Sequence, residues 1–155
     1  MAKLVRLLVL DVDGVLTDGR LYYGAKGEAL KAFHVRDGHG IKQMLAAGVR
    51  VAVISGRRSA AVTQRCRELG IRDLRQGVTD KLAELRRLCA RLKIEPAQTA
   101  CIGDDTPDVA MMRAVGLSFA VKDAHPDALA AANRVTRLPG GRGAVREVCD
   151  TLLEL

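Results

Sequence analysis

The chain has 155 residues, 48% apolar and 28% charged, a globular composition that argues against disorder. That length buries roughly two thirds of the unfolded surface in one domain, and with aromatics at 3% and no Trp the core must be built from Leu, Val, Ile and Ala. The formal charge of +7 suits an anionic partner, but the arginines are scattered and stacking aromatics are missing, which points away from nucleic acid and toward a small phosphorylated or carboxylated substrate.

Leu4–Leu10 is a near-continuous apolar run with a sharp acidic end, the pattern of a strand buried on both faces of a parallel sheet. It is too short to span a membrane and no signal-peptide cleavage region follows, so a cytoplasmic protein with no membrane partner is expected. Leu21–Tyr23 and Ala29–Val35 flank Gly24–Gly27 as a β-hairpin, with Leu21, Tyr23 and Phe33 offering an apolar face. A lone hairpin is marginal in water, so a partner subunit is its expected support. A helix over Ile41–Ala47 stops at Gly48, and Val51–Ile54 is the next strand. Ser59 is placed to cap a helix ending at Leu69 and closed by Gly70. Asp73–Arg75 is a weaker strand, and Thr79 heads a helix with Leu82, Leu85, Leu88 and Leu92 at helical spacing. Thr99–Ile102 is a strand, Asp105–Ala114 a helix with Pro107 in its first turn, Leu117–Val121 and Asn133–Thr136 strands, and Gly143–Leu153 a final helix.

This alternation predicts a doubly wound, three-layer α/β domain over residues 1–155, Rossmann-like, with a hairpin inserted after the first strand and no insertion large enough for a cap domain. The cysteines (Cys66, Cys89, Cys101, Cys149) form no CxxC and no zinc spacing with His34, His39 or His125. They are expected to be small core residues in a reducing compartment, and the histidines structural.

Ligands in such sheets bind beyond the carboxyl ends of the strands. Asp11-Val12-Asp13-Gly14 follows the first strand, Ser55-Gly56-Arg57 the second, and Gly103-Asp104-Asp105-Thr106-Pro107-Asp108 the fourth; Thr79-Asp80-Lys81 opens the helix after the third. Carboxylates gathered at one mouth cannot all stay ionised without a cation, and an all-oxygen set with open positions suits Mg²⁺. Lys81 and the Ser55–Gly56 turn would hold a phosphoryl group beside it, and a carboxylate can then attack phosphorus. Thr17 and Asp18 are read as shaping the turn before the hairpin.

The set D-x-D-G-x-x-T-D, S-G-R, D-K and G-D-D-x-x-D, in that order, resembles the haloacid dehalogenase superfamily of phosphatases. Leu30–Gly38, Val121–Pro126 and Gly140–Glu147 are similar to the capless family within it that acts on 3-deoxy-D-manno-octulosonate 8-phosphate. The resemblance implies Asp11 as nucleophile and Asp13 as general acid and base. It implies Mg²⁺ held by the Asp11 and Asp104 carboxylates and the Asp13 carbonyl, with Asp105 and Asp108 completing the acidic shell. Ser55 and Gly56 would bind phosphate oxygens, Lys81 would offset charge on nucleophile and phosphoryl group, and Asp108 would orient Lys81. It also implies a homotetramer in which hairpins assemble together, a neighbour's hairpin and the Gly-rich C-terminal segment then closing the site. Arg57, Arg65 and Arg142 are candidates for the carboxylate of a sugar-acid phosphate, because guanidinium matches it bidentately. A nine-carbon sugar-acid 9-phosphate as substrate, a phospho-accepting receiver domain, and an inactive structural oligomer stand as alternatives.

Overall fold

The structure, a computed structural model, describes residues 4–155; the first three residues of the expected domain, Met1 to Lys3, lie outside the described residues. In chain order it runs β1 (Leu7–Leu10), β2 (Tyr22–Gly24), β3 (Gly27–Leu30), α1 (Val35–Ala46), β4 (Arg50–Ile54), α2 (Ala60–Leu69), β5 (Asp73–Arg75) and α3 (Lys81–Leu92). There follow β6 (Thr99–Gly103), α4 (Val109–Ala114), β7 (Leu117–Ala120), α5 (Pro126–Ala131), β8 (Arg134–Val135) and α6 (Ala144–Glu154). Six strands form one parallel sheet in the order β5-β4-β1-β6-β7-β8, and β2 and β3 pair antiparallel as a separate hairpin. This is the doubly wound α/β architecture expected from the alternation of elements, and among the described residues there is no cap domain.

All four residues of β1 are fully buried because the strand has neighbours on both edges, Leu8 beside Val51 of β4 and Ala100 of β6. Chain order reverses at β1, so a crevice opens between the carboxyl ends of β1 and β6. Right-handed crossovers put α1, α2 and α6, which pack together, on one face and α3, α4 and α5 on the other. Among the described residues no helix is long and apolar enough to cross a membrane. All four cysteines are free and buried, and burial pushes the Cys66 thiol up to about 11.

Several boundaries differ from the sequence reading, each for a local reason. Leu4 is 72% exposed and precedes the sheet, so β1 starts at Leu7. The second hairpin strand ends at Leu30 rather than Val35, because His34 caps α1 by accepting from the Arg36 amide through Nδ1 at 3.1 Å. The glycines that hid this helix start serve close packing: a Cβ on Gly40 would meet Arg146 and Cys149 of α6 at 3.0 and 3.1 Å. Asp80, not Thr79, caps α3 by accepting from the Ala83 amide at 3.0 Å. Ser59 occupies the N-cap of α2 but makes no side-chain cap bond, since its hydroxyl donates to Glu28 instead. The Asp105–Ala114 segment splits into a 3₁₀ turn, Thr106–Asp108, and then α4. The short α5 was not anticipated; His125 caps it through an Asp127 amide bond of 3.1 Å.

Asp37, 1% exposed, reaches from α1 to the first turn of α6, where its Oδ1 accepts from the Arg146 amide at 2.9 Å. It thereby neutralises a helix N-terminus 109 residues away in sequence. Asp37→Ala should lower unfolding free energy by about 1–2 kcal/mol, the cost of leaving a part-buried helix-terminal donor unpaired. Urea denaturation checks this; an unchanged midpoint would remove Asp37 from the α1–α6 junction.

Candidate active site

The crevice is a cleft of about 420 Å³ bringing together Asp11, Asp13, Ser55, Gly56, Arg57, Lys81, Asp104, Asp105 and Asp108. A larger hollow of about 550 Å³ beside α6 mixes Arg36, Arg137 and Arg146 with Glu147, Asp150 and Glu154, and converges on no comparable cluster.

Asp11 leaves the end of β1 and is buried; its Oδ1 accepts from the Val12 amide at 2.8 Å and from Lys81 Nζ at 3.0 Å. Lys81, at the first position of α3, also donates to Asp108 Oδ1 at 2.7 Å. The other Asp108 oxygen accepts from the Asp104 and Asp105 amides at 3.0 and 3.3 Å. Fully buried Asp108 is thus spent on protein donors: it orients Lys81 and holds the loop after β6. Asp105 is exposed and accepts from the Thr106 amide at 2.7 Å, a turn-capping bond.

Carboxylate atoms of Asp11, Asp104 and Asp108 lie within 4.8 Å of one another. Burial, then the Asp108 charge, raise Asp11 to about 6 despite Lys81. Burial, then Asp11 and Asp108, raise Asp104 to about 8. Burial opposes the Lys81 charge, but Asp11 and Asp108 outweigh it and hold the ammonium above its ordinary value. Crowded anionic oxygens of this kind fit a hard divalent cation, which removes their mutual repulsion.

Asp11 and Asp104 bind protons more tightly folded than unfolded, so the metal-free protein loses stability as pH rises from about 4 through the values near 6 and 8. A divalent cation competes with those protons and binds better at high pH. Melting curves at pH 5.5 and 8 should show a larger cation-induced rise in Tm at pH 8. An equal rise at both would separate the cation from these carboxylates.

The turn after β4 supplies the other wall. Buried Ser55 accepts from the Arg57 amide through Oγ at 3.4 Å. A Cβ on Gly56 would meet only the Val78 carbonyl, at an ordinary 3.6 Å, so the protein's own packing does not require glycine there. Arg57 faces the cleft, with Nε 3.7 Å from Asp13 Oδ2 and a guanidinium nitrogen 3.2 Å from Tyr23 Oη.

Two of the sequence-read arginines do not line this cleft. Arg65 lies over the Phe33 ring at 5.8 Å in a separate small hollow, and Arg142 points to Asp18 at 3.8 Å. Thr17 shapes the turn as expected, its Oγ1 accepting from the Gly14 and Gly19 amides at 3.3 and 3.2 Å. The Gly-rich segment packs on the same chain's loop after β1. The Gly141 amide donates to the Val15 carbonyl at 2.9 Å, and a Cβ on Gly140 would lie 1.7 Å from the Gly14 oxygen.

Lys31 was missed. It reaches from beyond β3 to Asp13 Oδ1 at 2.7 Å, and no local pattern marks a lysine 18 residues from its partner.

Residues 71–143 match the haloacid dehalogenase-like hydrolase family. The chain is 53% identical over 152 residues to 3-deoxy-D-manno-octulosonate 8-phosphate phosphatase KdsC of Escherichia coli K12, covering 98% of this chain and 81% of that protein. The crystal structure of the Yersinia pestis phosphatase of the same name superposes with a TM-score of 0.96 at 52% identity, over 99% of this chain and 83% of that one. The Moraxella catarrhalis phosphatase, solved with magnesium ion, phosphate ion and KDO, gives 0.96 at 42% identity, over 99% and 88%. The chain therefore belongs to the 3-deoxy-D-manno-octulosonate 8-phosphate phosphatase family of haloacid dehalogenase-like hydrolases.

Proposed function

We propose that this chain is a Mg²⁺-dependent phosphatase that hydrolyses 3-deoxy-D-manno-octulosonate 8-phosphate (KDO 8-phosphate) to KDO and phosphate, a step of lipopolysaccharide biosynthesis. The observation that carries the reading is the Asp11–Lys81–Asp108 chain facing Asp104 at the β1/β6 crevice, in a chain 53% identical to the E. coli phosphatase.

The Asp11 and Asp104 carboxylates and the Asp13 backbone carbonyl are the proposed ligands of the ion; Asp108 is left out because both its oxygens are engaged. When bound, Mg²⁺ supplies positive charge beside the phosphoryl oxygens. Asp11 attacks phosphorus in line with the sugar oxygen, held in place through Oδ1 by Val12 and Lys81. Asp13 gives its proton to the leaving alkoxide as the P–O bond to the sugar breaks, leaving an aspartyl-phosphate on Asp11. Asp13 then takes a proton from water as the water attacks the same phosphorus; the P–O bond to Asp11 breaks, phosphate is released and Asp11 returns as a carboxylate. Ser55 and the Gly56 amide hold phosphoryl oxygens, and Lys81 offsets charge on the nucleophile and the transferring group throughout.

Arg57 is the proposed reader of the sugar-acid carboxylate from within the cleft. Arg65 and Arg142 would join it only where copies of the chain meet, in the homotetramer supported by the exposed Leu21, Tyr23 and Leu30 of the hairpin region. A single domain over 1–155, with a hairpin flap at about 20–35 and a C-terminal segment from about 139, working in the cytoplasm without nucleic-acid or membrane partners, completes the reading.

Phosphate release tests it, with Mg²⁺, on KDO 8-phosphate, a sialic-acid-type 9-phosphate and a hexose phosphate. A strong preference for KDO 8-phosphate is expected, and EDTA should lower the rate by at least about 100-fold, restored by excess Mg²⁺. Equal turnover of all three substrates would overturn the substrate; EDTA-insensitive turnover would overturn the role of the metal.

A further inference from the structure

Lys31 is an unusual residue for a hairpin flank. Its side chain is 2% exposed, yet it carries an ammonium that must be paired to be buried at all. It lies 2.7 Å from Asp13 Oδ1 and 2.9 Å from Glu28 Oε1. Glu28 in turn accepts from Ser59 Oγ at 2.5 Å, and the Ser59 amide donates to Gln76 Oε1 at 2.8 Å. Lys31 is thus gripped through Glu28 by the start of α2, and it presents a fixed donor to Asp13.

Asp13 needs such a donor. Its side chain is 23% exposed on an irregular loop, and the other cation paired with it among the described residues, Arg57, stands at 3.7 Å from Oδ2. A carboxyl group free to rotate would bring its proton to the leaving oxygen in only a fraction of encounters. With Oδ1 tied to Lys31, Oδ2 is the oxygen left facing the Arg57 side of the cleft.

We infer that Lys31 is the positioning residue of the general acid: it fixes Asp13 Oδ1 so that Oδ2 delivers the proton to the sugar oxygen. The inference rests on the phosphatase reading above. It gives the hairpin a chemical task, since β3 and its flank carry both Lys31 and the Glu28 that steadies it.

The test uses leaving groups. A sugar alkoxide requires protonation as it departs, whereas p-nitrophenolate leaves unprotonated, and kcat/KM reports the steps through cleavage of that bond. Wild type, Lys31→Met and Lys31→Arg are compared on KDO 8-phosphate and p-nitrophenyl phosphate with saturating Mg²⁺. For Lys31→Met, kcat/KM should fall about 100-fold on the sugar phosphate and less than about 5-fold on the aryl phosphate. Lys31→Arg, which keeps a donor, should recover at least about tenfold of the loss. Equal losses on both substrates, or none, would overturn the inference. If Lys31→Met does not fold, Glu28→Gln decides: a selective loss of about 3–10-fold on the sugar phosphate supports it, and a uniform change or none overturns it. Wild-type protein inactive on both substrates would instead sink the phosphatase reading, and this inference with it.

Discussion

Asp11→Asn should lower turnover of the sugar phosphate by at least about 10⁴-fold while leaving the fold intact. An amide has no anionic oxygen with which to attack phosphorus, so the covalent step is lost rather than slowed by misplacement. The geometry otherwise tolerates the change. An amide oxygen at Oδ1 still accepts from Val12 and Lys81, now 2.8 and 3.0 Å away. The substitution also removes one negative charge from a cluster whose burial, and then mutual repulsion, hold Asp11 at about 6 and Asp104 at about 8. The metal-free variant should therefore melt at or above the wild-type temperature near pH 8. Phosphate release and a thermal melt on the same sample check both halves. Residual turnover above about 1% would remove Asp11 as the nucleophile, and a collapse in Tm would mean that its charge is structural.

The parts of this site legible in the sequence are those governed by chain-local rules. The apolar run ending at Asp11 marks a central strand, and the acidic residues beyond it and beyond Thr99–Ile102 fall at strand ends, where α/β sheets bind ligands. Because the strand order reverses at β1, the two groups meet, which no single segment could reveal. Illegible were the contacts that join distant segments. The sequence reading associated Asp108 with Lys81, but the division of its two oxygens between Lys81 and the Asp104–Asp105 amides needs coordinates. Lys31 sits between Leu30 and Ala32 with nothing in its neighbours to aim it at Asp13. The start of α1 was obscured for a related reason: Gly38 and Gly40 weaken helix propensity, and only their contact with Arg65 and with α6 explains them. Arg57 and Arg65 stand in the sequence as candidates for the same carboxylate, yet Arg57 turns to the cleft and Arg65 to Phe33.

The second large effect comes from a residue with no side chain. Gly14 has a φ of +86°, and a Cβ there would lie 1.8 Å from Asp104 Oδ2. The loop has little freedom to withdraw. Its Gly14 amide is bound to Thr17 Oγ1 at 3.3 Å, its Val15 carbonyl to the Gly141 amide at 2.9 Å, and Gly140 presses on its Gly14 oxygen from behind. Asp104 is what must give way in Gly14→Ala, and with it a proposed ligand of the ion. Turnover should fall about 10²–10³-fold at ordinary Mg²⁺, with at least a tenfold higher Mg²⁺ requirement and partial recovery at high Mg²⁺. Gly19→Ala is the control for backbone strain. Its φ is +85°, but a Cβ there would meet nothing nearer than Gly14 Cα at 3.7 Å. Both variants should lose about 1–2 kcal/mol from the left-handed conformation, yet only Gly14→Ala should change the Mg²⁺ requirement. Titration of activity against Mg²⁺ separates them: matching curves for the two would mean that Gly14 serves the turn alone, and that its closeness to Asp104 has no part in holding the ion.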